Sequence, residues 1–360
     1  RNSDLYIISE NLQAPVFPKF YSVDEIIKME DYKYNPTEEF NFPSIVDTKV
    51  HPIKNPIDRY YMFYAPHDAP AGICLATAPT LDGPWIEYES NPIVSKSWKD
   101  ENGNYYYNVS HVSSPDVMWN STYNKYFMYF HGENTVTRYA TSDDLVNWTY
   151  GGEAVRANDF SPTGTGLTEA SYARVVEHEI PGLDNKYIMT IMVNNKANMR
   201  KIYYAHSKDG IKWTAVKEPL VSPDSDPNMN YANNVSGAYF MEWEGRYYVI
   251  CHGSTGNIYS VEVGESLDKE IHWGVMYDSA DDFPDYTRSG APVFMKDDNG
   301  VWHMFYEGGK RLHANIIHAK ELSDEEKKEI KYVSLKINKP SLVAGENVKP
   351  QVEVLLKDNS

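Results

Sequence analysis

Apolar and polar positions along this chain fall into short strand-length runs, and one kind of run keeps returning. YYMFY at Tyr60, YFMYF at Tyr126, YIMTI at Tyr187, YYVIC at Tyr247 and WHMFY at Trp302 are separated by 66, 61, 60 and 55 residues. A period of this size marks repeated supersecondary units. Each run has the same surroundings. A short apolar stretch precedes it (PSIVDTKV, SPDVMW, ASYARVV, GAYFMEW, APVFMK), and a third follows it (GICLATAP, TVTRYATS, KIYYAHSK, NIYSVEVG, ANIIHAKE). Four units then reach a tryptophan: Trp85, Trp148, Trp213 and Trp273.

Turn chemistry supports the same division. Asp58-Arg59, Asn124-Lys125, Asp184-Asn185, Glu244-Gly245 and Asn299-Gly300 stand just before the aromatic runs, where tight hairpins belong. Asp82-Gly83-Pro84, Asp143-Asp144 and Asp209-Gly210 precede three of the tryptophans. Four antiparallel strands per unit, repeated radially, predict an all-β fold: a five-bladed β-propeller over residues 41–330.

Residues 1–40 read as an N-terminal segment. DLYIISE, from Asp4, could supply a strand that completes the last blade and closes the ring, and VDEIIKMEDY, from Val23, a short helix. After Lys320 the charged LSDEEKKEIK reads as helix or linker. Residues 331–360 read as the start of an immunoglobulin-like β segment, with strands around Pro340 and Gly345. So short a piece cannot bury a core of its own, so further domains are expected beyond Ser360.

Charge narrows the partners. With 51 acidic against 34 basic residues the net charge is −17, and no basic field exists to recruit nucleic acid or an anionic membrane surface. The apolar runs are strand-sized and too short to span a membrane. Cys74 and Cys251 fall in different units, too far apart around a ring to bridge, and read as buried thiols. Asn108, Asn120, Asn147 and Asn234 begin Asn-x-Ser/Thr triplets, which matter only in a secreted eukaryotic setting. There is no GxGxxG, phosphate loop, HExxH or CxxC, and NVSGA lacks the second glycine of a nucleophile elbow.

Propeller geometry limits where chemistry can sit. The start of each inner strand and the end of the second strand meet on one face near the axis. The starts offer Asn41 and Phe42; His111, Ser113, Ser114 and Asp116; Thr168 and Glu169; Asn233, Asn234 and Ser236; Arg288 and Ser289. The ends offer His67 and Asp68, His131 and Glu133, Asn194 and Asn195, His252, and Glu307. A histidine recurs in the same place in three units (His67, His131, His252), which points to a shared ligand.

SSPDVMW at 113–119, TEASYARVV at 168–176, SGAPVFMKDDNGVWHMFYEGG at 289–309 and the GICLATAPTLDGPW hairpin resemble the five-bladed propeller glycoside hydrolases, over residues 41–320. These are glycoside hydrolase families 43, 32 and 117 and the related arabinofuranosidase families. The resemblance implies an exo-acting glycoside hydrolase. Its substrate would be an oligosaccharide fragment of a plant or algal polysaccharide, and the sugar released would be terminal, with arabinofuranose the first guess. It also implies no required cofactor and a periplasmic or secreted location. The alternative is a non-catalytic carbohydrate-binding propeller.

The departures are specific. Those families place an aspartate just before the first-blade proline, where this chain has Phe42; Asp47 lies five residues on, towards the opposite rim. Blade four begins NNVSGAYF, without the acid glutamate that family 43 carries there. Glycosidic cleavage calls for two carboxyl groups, one protonated and one ionised. Glu169, heading an inner strand after SPTGTGLT, is the leading candidate and is assigned the acid. Glu307, before Gly308-Gly309, and Glu133, in HGEN, rank next. Asp116 is the last, since two residues into its strand it more readily bonds backbone. His67, Asp68, His111, His131, Asn194, His252 and Arg288 are the candidate substrate-binding residues. The Arg288 fork suits a sugar hydroxyl or a uronate carboxylate. No metal ligands are assigned; SPDSDPNMN at 222–230 could hold a structural calcium but lacks the spacing of a calcium loop.

Overall fold

The computed structural model describes residues 13–223, 234–322, 330–336 and 351–356. In chain order, β1 (Tyr21–Ile27) comes first and is placed last in the ring. Blade one is β2 (Phe40–Asp47), β3 (Tyr60–Pro66), β4 (Cys74–Ala78) and β5 (Ile86–Glu87). A hairpin follows, β6 (Ser97–Lys99) with β7 (Tyr105–Asn108). Blade two is β8 (Val112–Asn120), β9 (Lys125–Gly132), β10 (Val136–Ser142) and β11 (Thr149–Arg156). Blade three is β12 (Leu167–Glu177), β13 (Tyr187–Asn195), β14 (Arg200–Ser207) and β15 (Thr214–Ala215). Blade four is β16 (Val235–Trp243), β17 (Arg246–Gly253), β18 (Ile258–Glu262) and β19 (Ile271–Tyr277). Blade five has β20 (Ser289–Lys296), β21 (Trp302–Lys310) and β22 (His313–Lys320), with β1 as its outer strand. All pairings within the blades are antiparallel.

The closing strand corrects one sequence expectation. The segment around Val23 is not a helix. Tyr21 pairs with Lys320 and Ile27 with Ile316. The open edge of β22 offers unpaired backbone groups, and satisfying them outweighs the local helical preference of VDEII. Ile27 is buried there while Val23 stays exposed. DLYIISE lies outside the described residues. β23 (Ile330–Lys336) and β24 (Gln351–Leu356) form a separate antiparallel pair; Pro340 and Gly345 lie outside the described residues. Among the described residues no helix is long and apolar enough to cross a membrane.

The returning aromatic run is the second strand of each blade, and it is apolar on both faces because both are covered. Tyr60, Met62 and Tyr64 pack towards blade five, while Tyr61 and Phe63 pack towards blade two. Five apolar clusters result, one between each pair of neighbouring blades. The hairpin β6–β7 accounts for the longest spacing; its Trp98 and Tyr107 rings pack against Tyr150 at 5.7 and 5.6 Å. Cys74 and Cys251 are free and buried.

The tryptophan turns are built by short-range side-chain bonds. Asp144 Oδ1 accepts from the Val146 and Asn147 amides, and Asp209 Oδ1 from those of Ile211 and Lys212. Trp213 Nε1 then donates to Gly210 O at 3.1 Å.

One backbone feature repeats around the axis. Every inner strand breaks its ladder at the same place, between Asn41 and Ser44, Ser113 and Asp116, Ser171 and Arg174, Ser236 and Tyr239, and Gly290 and Val293. Each break leaves two residues out of the ladder, and the first of each two, Phe42, Ser114, Tyr172, Gly237 and Ala291, has φ of 52, 53, 56, 61 and 45°. Four carry a Cβ in the left-handed region, a conformation costing about 1–3 kcal/mol each, and such strain concentrates at functional centres. The bulges turn the residues before and after them to opposite ends of the central channel.

Candidate active site

A cavity of about 360 Å³ opens on the face where inner strands begin, lined by residues of all blades but the second. His67, His252, Arg288 and Glu307, four of the residues singled out from sequence, line it, together with Asn41, Ser236 and Ser289 from the strand starts. Glu39, Tyr172, Arg200 and Arg311 complete its polar wall.

Glu39 is the most heavily bonded of these. It lies just ahead of β2, and its backbone carbonyl accepts from His67 N at 2.7 Å. Oε2 accepts from His67 Nδ1 at 2.8 Å. Oε1 takes Arg288 at 3.1 Å and the Leu312 amide. Burial alone would raise this carboxyl; the His67 and Leu312 hydrogen bonds and the Arg288 charge outweigh it and hold it at about 2. The same contact raises His67 above its ordinary value against the opposing effect of burial.

Arg288 joins the two carboxylates of the wall. Its other terminal nitrogen stands 3.7 Å from Glu307 Oε1. The loop carrying it is fixed by Asp285, which is fully buried and accepts from Tyr306 and Tyr277 hydroxyls at 2.6 and 2.9 Å and from Ala280 N at 2.8 Å. The Asp285 carbonyl accepts from Arg288 N at 3.0 Å.

Glu307 sits near the end of β21, 6% exposed. Its Oε2 accepts from the Phe42 amide at 2.9 Å. Phe42 thus occupies the place where the resemblance led to an aspartate, and contributes backbone instead of a carboxylate. Its ring lies under the Arg174 guanidinium, 4.0 Å from ring centroid to Cζ, and 5.5 Å from the Tyr172 ring.

His252 Nδ1 accepts from Ala291 N at 3.0 Å, so the neutral ring carries its proton on Nε2. Burial pushes this imidazole down to about 4, against the pull of the Glu307 charge. Gly237 is needed beside it: a Cβ there would come within 2.7 Å of Nδ1.

The remaining candidates stand elsewhere. Glu169, 7% exposed, is behind the wall: Ser171 Oγ donates to it at 2.7 Å, and Arg200, which does line the cavity, lies 3.6 Å away. Asp116 is turned to the other side of its bulge, into a second cavity of about 210 Å³ shared with Ser44, Arg174 and Tyr239. There it accepts from Val175 N at 2.8 Å and pairs with Arg174 at 3.3 Å, the backbone role its position suggested. Burial raises its carboxyl, with Arg174 drawing it back. Glu133 leaves the axis to pair with Arg138 at 2.9 Å. Asp68 is exposed and outside the cavity. His131 packs edge-on to His111 and against Tyr172, at 5.5 Å each, one layer behind the wall. Asn194 bonds Asn198 and the Asn195 amide. The calcium candidate at 222–230 falls largely outside the described residues.

Glu39, Arg200, Arg311 and Tyr172 escaped the sequence reading for separate reasons. Glu39 precedes the assumed first residue of blade one. Arg200 begins a third strand and Arg311 lies in the turn after a second, positions off the two considered. Tyr172 reaches the cavity only because its bulge reverses its direction. The pairing of EEF with the hairpin after β21, seen in the Glu39–Ala314 bridge, has no local signature.

Comparison with solved structures gives the fold. The chain has the fold of the five-bladed propeller glycoside hydrolases. It covers 89% of its own length and 98% of an endo-1,4-β-xylanase from Bacteroides thetaiotaomicron at 11% identity and a TM-score of 0.55. It likewise resembles an endo-arabinase from the same organism (84% and 99% covered, 12% identity, TM-score 0.54). The third is the α-L-arabinofuranosidase of Podospora anserina in complex with cellotriose (86% and 98%, 11%, 0.53). No protein-family model matches the chain, and no curated protein does.

Proposed function

We propose that this protein is an exo-acting glycoside hydrolase that removes a terminal sugar from an oligosaccharide in the central cavity. One observation carries this reading: Glu307 and the His67–Glu39 pair face the same small cavity and are joined through Arg288. Glu39 is held ionised by three donors and cannot serve as an acid. His67 is the group raised towards neutral pH, and its Nδ1 is committed to Glu39, which leaves Nε2 for a leaving-group oxygen. Glu307 takes the second role, as nucleophile or as base towards a water, oriented by Phe42 N–H. The paired carboxylates expected from sequence thus become one carboxylate and one carboxylate-backed histidine, with Glu169 orienting Arg200.

A cavity of this size supports one terminal sugar rather than a long chain. Arabinofuranose is the first substrate to test. A terminal uronic acid is the second, because Arg311 on the rim has no anionic partner among the described residues while Arg200 and Arg288 do. A periplasmic or secreted location goes with this reading. The non-catalytic alternative draws on Phe42, which removes a carboxylate from its usual place.

The test is a screen of aryl-glycosides and plant and algal oligosaccharides for released monosaccharide, followed by Glu307→Gln on the substrate found. A loss of about a thousandfold in kcat is expected. Binding without release across the screen would favour the carbohydrate-binding alternative, and near-normal turnover in the variant would remove Glu307 from the mechanism.

A further inference from the structure

Across the ring seam, on the rim away from the cavity, three potential ligands converge. His303 near the start of β21 and His318 in β22 are both 1% exposed. Their rings are almost coplanar, 5° apart, with centroids at 5.0 Å. His303 Nδ1 and His318 Nε2 point at each other over 2.8 Å. The carboxylate of Asp82, in the blade-one turn, lies within 4.8 Å of both nitrogens. The ligand atoms therefore come from two blades and meet at one point.

The surroundings fit a coordination site. His303 Nε2 is 3.3 Å from Asp297 Oδ2, and a histidine that ligates through one nitrogen usually donates its other N–H to such a carboxylate. That bond fixes the tautomer and leaves the Nδ1 lone pair facing His318. Asp297 is itself held, with Oδ1 accepting from Asn299 N at 2.8 Å and Val301 N at 2.9 Å. Asp82 is exposed, and among the described residues its side chain pairs with Lys320 at 3.5 Å, a partner it can release.

We propose that Asp82, His303 and His318 form a binding site for a divalent transition ion of the zinc class, which fastens the closing blade to blade one. Two nitrogens and one oxygen select such an ion over calcium or magnesium, which prefer oxygen shells. A tetrahedral ion holds nitrogen ligands about 3.3 Å apart, so the two nitrogens must part by about half an ångström and both rings must turn from their in-line hydrogen bond until their lone pairs meet at the ion. His318 shifts its proton to Nδ1, Asp82 exchanges Lys320 for the ion, and water takes the fourth position. The site lies on the opposite rim from Glu307, so it stands or falls independently of the proposed hydrolase activity.

The experiment uses the protein purified without a polyhistidine tag, dialysed against chelator and titrated with zinc chloride. Bound metal is measured by mass spectrometry and the melting temperature by scanning fluorimetry. One zinc per chain and a saturable rise in melting temperature are expected, with calcium chloride giving neither. Asp82→Ala alters an exposed side chain and leaves the fold intact; it should weaken zinc binding tenfold or more. Cobalt in place of zinc should give the strong visible absorption of a tetrahedral site. Substoichiometric zinc in the unaltered protein, or unchanged affinity in both Asp82→Ala and His318→Gln, would overturn the site and leave a neutral hydrogen bond between the two histidines.

Discussion

His67 Nδ1 donates to Glu39 Oε2 over 2.8 Å, linking a ring that is open to the cavity with a carboxylate that is 2% exposed. The pair sets the pH at which His67 can act. As a proton donor His67 works below its pKa, so the rate should fall as pH rises through a value above 6.5. Glu39→Gln keeps an acceptor but removes the charge that favours imidazolium. The alkaline limb of kcat/KM should then move to lower pH, with roughly tenfold or greater loss at neutral pH. A profile that loses height without moving would assign Glu39 a purely structural role.

Arg174 and Asp116 form the other buried pair on the axis, 3% and 11% exposed at their side chains. Arg174 also donates to Ala291 O at 3.0 Å. Removing one partner strands a charge, so Arg174→Met should destabilise by about 3–5 kcal/mol. The double change with Asp116→Asn should recover part of that loss. Denaturant melts of the two single variants and the double variant give the coupling, and simple additivity would show that the two side chains do not act as a unit.

Phe42 has a backbone role at the site and a packing role beneath it. Phe42→Ala keeps the amide that bonds Glu307 and the residue's left-handed φ, but opens the space under Arg174. The expected cost is about 3–5 kcal/mol, as for large buried aromatics. Urea unfolding measures it. A loss below about 1 kcal/mol would mean that Tyr172 and Arg174 close over the gap.

The architecture was legible because each blade repeats its instructions. The aromatic second strands, the hairpin turns before them and the Asp-bearing turns before the tryptophans are local signals, and all five units carry most of them. The closing strand was not legible, because YSVDEII becomes a strand only against the edge of β22. The site was half legible. His67, His252, Arg288 and Glu307 lie at strand ends, and the rule that such ends converge brings them in. Asp116 and Tyr172 break that rule for one reason. The bulge at each inner strand reverses the direction of side chains near it, turning Asp116 away and Tyr172 towards the cavity. Nothing in SSPD or ASYAR announces a left-handed residue; the strain is imposed where five strands crowd an axis.

The buried histidines at this face should make the fold sensitive to acid in a defined window. His252 is pushed down to about 4 by burial, and His131 is also pushed well below its ordinary value. Unfolded, both titrate near 6.5. Above that pH both states hold the rings neutral, and the histidines make no difference to stability. As pH falls below 6.5 the unfolded chain takes up protons that the folded ring refuses, so stability declines until the folded value is reached. For His252 the full loss is on the order of 3 kcal/mol. Glu39 acts in a lower window: its contribution is complete above its unfolded value of 4.5 and is lost as pH falls towards 2. His67, raised by Glu39, works in the opposite sense in the same window, so the slope of melting temperature between pH 6.5 and 5 is the net of the two and the share of His252 is read by difference. His252→Asn retains an acceptor for Ala291 N–H without a titrating ring, and its melting curve should be flatter across that interval. An equally steep fall in this variant would locate the acid-sensitive group elsewhere in the ring.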